Sequence, residues 1–150
     1  MPETIPELLA RWRRGRDPST AIALCDALAL APNAALTVEV GPAAVAEFAS
    51  DAAVLVAAAR AFVAAERYGE AQSALVAAGK VAPREPAVFR LLGEVLLRRG
   101  DAERAEKVLE RAVVLSGGDP DARAWLDRAQ MFKPMQGRSG SLTVARAVAS

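Results

Sequence analysis

Residues 86–119 read PAVFRLLGEVLLRRGDAERAEKVLERAVVLSGGD, and the stretch before them, 52–85, reads AAVLVAAARAFVAAERYGEAQSALVAAGKVAPRE. Laid on one another without a gap, they pair Leu55 with Phe89, Ala58 with Leu92, Ala59 with Gly93 and Phe62 with Leu96. Further along, Ala71 meets Ala105, Leu75 meets Leu109 and Ala78 meets Ala112. Matched residue types at a 34-residue spacing mark stacked helical hairpins, each too small to bury its own apolar face. Within 86–119, Phe89, Leu92, Gly93 and Leu96 fall at i, i+3, i+4 and i+7, the apolar stripe of one helix. Arg99-Gly100-Asp101 interrupts the stripe, and Ala105, Val108, Leu109 and Ala112 restore it on a second helix, with Ala102 expected on the more exposed turn side. So short a connection makes the two helices pack antiparallel.

The pattern resembles the tetratricopeptide repeat family, which places large apolar residues at repeat positions 4, 7, 11 and 24 and small ones at 8, 20 and 27. Phe89, Leu92, Leu96 and Leu109 fit the large set; Gly93, Ala105 and Ala112 fit the small set. Tyr68 at position 17 and Pro83 at position 32 also match. The resemblance implies an all-α fold, a right-handed superhelical solenoid of about three hairpins with a capping helix at each end. It also implies partner binding as the mode of action.

One period earlier, Pro18 opens a unit in which Ala21, Leu24, Cys25 and Leu28 hold positions 4, 7, 8 and 11. Its second half carries Thr37, Gly41 and Ala44 at positions 20, 24 and 27, with Gly41-Pro42 placed to kink the helix. A second register stays open, in which the amino-terminal helix pairs with 18–31 and 33–50 forms an irregular insert. Leu36–Val40 alternates briefly in strand fashion, yet lies within the repeat phase. After the third unit, Asp119 and Pro120 have the chemistry of an N-cap and a first helical residue, with Ala122, Trp125, Leu126 and Ala129 on one face. The expected organisation is a cap at 3–14, repeats at 18–51, 52–85 and 86–119, a closing helix at 120–131 and a tail at 132–150. In that tail Arg138 precedes Ser141 in a loose basophilic kinase pattern.

Composition narrows the chemistry. The 150 residues contain no histidine and one cysteine, and carry a net charge of +1 from 19 basic and 18 acidic residues. Without histidine the usual proton shuttle and the commonest metal ligand are missing. Cys25 falls on a small packing position, so it reads as structural rather than nucleophilic. No catalytic residue, metal site or cofactor is expected, and the protein is read as a non-enzyme. The stretch GDAERAEKVLER reads as a solvated helix face, with Glu103 and Lys107 placed to pair. Gly117-Gly118 lacks the preceding strand and following Lys-Ser/Thr of a phosphate loop and reads as a connection between helices. No apolar run approaches the roughly 20 residues of a membrane span. Glu3 and Glu7 stand where a signal peptide would carry positive charge, so a cytoplasmic setting is expected.

In the family, the first helix of each hairpin lines a concave surface. Carried over by repeat position, the groove of this chain consists of Ile22 and Asp26, then Val56, Arg60 and Val63, then Arg90, Glu94 and Leu97, with Arg128 from the closing helix. Arg60, Arg90 and Arg128 suit an extended or helical segment bearing acidic and small apolar residues. Ile22, Asp26, Ala57, Ala87 and Leu91 occupy the places where the chaperone-binding subfamily wants lysines and asparagines, so its carboxylate clamp is not expected. The leading expectation is an adaptor that holds a protein partner, peptide or helix. A secretion-type chaperone for an export substrate is the second reading. The third is a nucleic-acid or anionic-surface binder acting through RWRRGR at 11–16. Against the third stands the near-neutral charge, and Trp12 shares a helix face with Ile5, Leu8 and Leu9, as cap core would.

Overall fold

The computed structural model describes residues 3–132. Seven helices follow in order: α1 (Ile5–Arg14), α2 (Pro18–Leu30), α3 (Ala34–Glu47), α4 (Ala52–Ala64), α5 (Tyr68–Val81), α6 (Pro86–Arg98) and α7 (Ala102–Ser116). An eighth, α8, occupies 120–132. There is no strand among the described residues; Leu36–Val40 is helical, and α3 runs through Pro42 without a break. This overturns the irregular insert at 33–50. The sequence 133–150, with Arg138 and Ser141, lies outside the described residues.

Short polar side chains start most of these helices by accepting from backbone amides that have no partner within the helix. Thr4 and Glu7 form a reciprocal capping box on α1. Asp17 accepts from Thr20 N (2.9 Å) and Asn33 from Leu36 N (3.1 Å). Asp51 accepts from Ala53 and Val54 N (3.0 and 3.2 Å), and Asp101 from Arg104 N (3.1 Å). Asp119 takes Ala122 N at 3.0 Å, so α8 begins with the anticipated cap.

The second and third hairpins close in the same way. In the third, an added Cβ on Gly93 would stand 2.3 Å from Leu109 Cγ, so the leucine of α7 occupies the space that only glycine leaves on α6. Ala59 holds the same repeat position in the second hairpin, and Ala59, Ala71, Leu75 and Ala78 are all fully buried. Both hairpins end their first helix alike. Arg67 N donates to Phe62 O (2.8 Å) and Asp101 N to Leu96 O (2.9 Å), each across a left-handed residue.

The first hairpin is built differently. Its position 24 is Gly41, which has no side chain to offer α2, and α2 packs more extensively on α4 than on α3. Phe62, from the next unit, takes the vacancy: an added Cβ on Gly41 would lie 2.6 Å from its ring. α1 supplies the rest. Trp12 is 1% exposed, confirming it as cap core, and its ring centroid lies 6.4 Å from that of Phe48 just past α3. Arg13 grips Glu39 of α3 with two bonds of 2.8 and 2.7 Å, and Arg16 reaches Glu47 at 3.2 Å.

Two expectations on α7 need correction. Ala102, placed on the more exposed turn side, is 1% exposed. It holds the repeat position of Tyr68, where the helix start turns inward. On the charged face, Arg104 pairs with Asp101 (3.4 Å) rather than Glu103 with Lys107.

Candidate functional site

Ile22 and Asp26 from α2 and Val56 and Arg60 from α4 share one groove of about 450 Å3 with Glu85 and Ala87. Small residues make it possible: Ala53, Ala57 and Ala87 leave room that larger side chains would close. Ile22 and Val56 are half-buried, while Asp26 and Arg60 are exposed at the rim. Arg60 has no ion pair or hydrogen bond to another side chain among the described residues.

Arg90 lines a second, adjoining hollow of about 400 Å3 together with Glu85, Asp119 and Asp121. Glu85 and Ala87 belong to both, so the two hollows form one trough along α2, α4, α6 and the start of α8. The remaining residues of the expected groove line neither hollow. Val63 and Leu97 are half-buried against the core. Glu94 is drawn to Arg98 at 3.9 Å, and Arg128 lies over the Trp125 ring at 4.6 Å. The sequence missed Glu85, Asp119 and Asp121, which sit at the starts of α6 and α8, where repeat positions along the groove-lining helices give no guide. Their presence makes the trough mixed in charge.

The amino-terminal arginines are largely engaged within the chain. Arg11 pairs with Glu3 and donates to Thr20 Oγ1 (3.2 and 3.3 Å). Arg13 and Arg16 pair with Glu39 and Glu47, and Arg16 also lies 5.2 Å from the Trp12 ring. The Arg13 hydrogen bonds hold the Glu39 carboxyl below the usual carboxylate range, and the Thr20 hydroxyl and amide do the same for Asp17.

Cys25 is buried, and burial pushes its thiol up to about 12, so it is not a thiolate at neutral pH. No helix among the described residues is long and apolar enough to cross a membrane. A larger groove, of about 730 Å3, opens between α3 and α5 and shares no lining residue with the trough.

Comparison with known proteins places this architecture. Residues 56–121 match the family model of the tetratricopeptide repeat. A thermophilic repeat protein of Thermus thermophilus superposes with a TM-score of 0.69 at 21% identity, covering 85% of this chain and 71% of that one. MamA does so with a TM-score of 0.64 at 13% identity, over 89% of each chain. The second repeat domain of human RPAP3, solved in complex with the HSP70 peptide SGPTIEEVD, gives 0.58 at 17% identity, over 83% of this chain and 90% of that domain. No curated protein matches. The match identifies residues 56–121 as tetratricopeptide repeat sequence, and the fold shared with these structures is a right-handed superhelical solenoid of about three helical hairpins with a closing helix at each end.

Proposed function

We propose that the chain is a non-catalytic adaptor that holds a segment of a partner protein along the trough between Ile22 and Asp121. The observation that carries this reading is the convergence of Ile22, Asp26, Val56 and Arg60 on one groove, with Arg60 left unpaired at its rim. An apolar floor with a few oriented polar groups is the usual form of a peptide site. Arg60 and Arg90 offer planar forks to carboxylates, and Asp26, Glu85 and Asp121 offer acceptors to amides or cations. The partner segment is therefore of mixed charge around small apolar residues, with acidic side chains on the two arginines. The RPAP3 domain shows that this fold can hold a peptide, and nothing of its partner is carried over.

A secretion chaperone would use the same trough, so the adaptor is favoured only in needing no unstable client. The anionic-surface reading is weakened by the ion pairs that occupy Arg11, Arg13 and Arg16. Affinity capture with mass spectrometry, followed by titration of the captured segment, tests the proposal. Replacing both Arg60 and Arg90 with alanine weakens binding about tenfold or more, from charge-assisted bonds each contributing about 1.5–3 kcal/mol when shielded. Thermal stability stays nearly unchanged. Unaltered affinity in the double variant, with loss on replacing Arg14, which has no ion pair among the described residues, would move the site to the amino-terminal cap.

A further inference from the structure

The hairpin turns of the second and third units each carry one left-handed residue. In the third unit it is Gly100, at φ +82°. In the second unit the same repeat position holds Glu66, at φ +59°. The cap dictates that backbone: Glu66 N donates to Val63 O (3.0 Å) and Arg67 N to Phe62 O (2.8 Å). It does not dictate the side chain, and a Cβ in this region is strained where glycine is not.

Glu66 stands on the lining of the 730 Å3 groove between α3 and α5. The floor is apolar, with Val45 and Pro42 of α3 facing Gly69 and Ala74 of α5 across the Phe62 ring. The groove exists because Gly41 lets Phe62 fill the first hairpin from below, leaving the outer side of that seam open. The arginines around its α5 wall are occupied. Arg67 pairs with Glu70, Arg98 with Glu94 and Tyr68, and Arg99 with Gln72 (2.9 Å). Glu66 alone among the charged lining residues has no ion-pair partner among the described residues.

We propose that this groove is a second docking site, separate from the trough, for a partner protein segment that places a bulky apolar side chain on Phe62, Val45 and Ala74 beside a lysine or arginine on Glu66. The apolar floor selects the bulk, and the unpaired carboxylate selects the sign of the charge. Glu66 is a specificity residue that the turn retains at the expense of stability.

Phenethylammonium reproduces that side-chain pair in miniature, and 3-phenylpropionate reverses its charge. Titrating both into the 15N-labelled protein and following amide shifts tests the site. Phenethylammonium gives saturable shifts at Val45, Gly69, Ser73 and Ala74, and 3-phenylpropionate binds about fivefold more weakly or less. Glu66→Gln removes the preference. Glu66→Gly removes it too while raising Tm, which separates the ligand role from a structural one. No saturable shift, equal affinity for the two probes, or a preference that survives Glu66→Gln would overturn the proposal. Displacement of phenethylammonium by a synthetic peptide of residues 133–150, or a dimer that Ala46→Arg dissociates, would overturn the choice of a foreign partner. Arg60→Ala and Arg90→Ala leave these shifts unchanged, so the result stands apart from the fate of the trough.

Discussion

The first and third hairpins occupy equivalent places in one repeating array, yet different forces hold them. The third closes on itself, with Leu109 seated on Gly93. The first lacks the equivalent leucine, and α3 is held from outside by Phe62, by Trp12 against Phe48, and by two arginine–carboxylate pairs from the α1 region. A repeat can therefore lose a defining packing residue if its neighbours on both sides replace the contact. The consequence is coupling: the first hairpin depends on α1 and α4, and the third mainly on itself.

Removing the shared ring breaks this comparison most severely. Phe62→Ala is expected to cost about 3–5 kcal/mol, because the ring is 1% exposed and serves two hairpins. Leu109→Ala, serving one, is expected at about 2–5 kcal/mol and below Phe62→Ala. Urea midpoints in the reverse order would show that Phe62 does not carry the first hairpin. Next come the alanines of α7. Ala105→Leu and Ala102→Leu should each cost about 1–3 kcal/mol by overpacking, since both sites are closed. A silent Ala102→Leu would restore the exposed placement drawn from sequence.

Thr37 sharpens the contrast in the opposite direction. It occupies a small position in α3, and its hydroxyl is buried with no hydrogen-bond partner among the described residues. Thr37→Val keeps the shape and removes that cost, so it should stabilise by about 1 kcal/mol in a chemical denaturation series. A destabilised variant would mean the hydroxyl has a partner such as bound water. The smallest effect is on pH. Asp17 and Glu39 have folded pKa values below their unfolded ones, so their stabilisation is full above the ordinary carboxylate range and fades as pH falls through the lowered values. Glu39 is exposed and Asp17 only half-buried, so the expected change is a modest drop in Tm on acidification. Glu39→Gln should reduce that drop, and an unchanged acid slope would remove Glu39 from the account.

Much of this was legible in the residues. The columns of 86–119 placed α6 and α7, and the same phase placed α2, α4, α5 and α8, because helix stripe and capping chemistry are local. The groove was legible in part, as Ile22, Asp26, Val56 and Arg60 follow from helix register alone. Arg128 did not, because its stacking on Trp125 depends on a rotamer choice within α8. The partners of Arg13 and Arg16 lie 26 and 31 residues away, so they depend on where α3 is held. Glu66 was invisible as a special residue until its backbone angle was known.

Native-state hydrogen exchange of α3 and α7, in the wild type and in Trp12→Ala, tests the central claim most directly. Losing the buried ring of α1 should speed exchange of the α3 amides by at least about tenfold, while those of α7 stay within about twofold. Equal acceleration in both helices, or none in α3, would contradict the claim that the first hairpin is held from outside and the third from within.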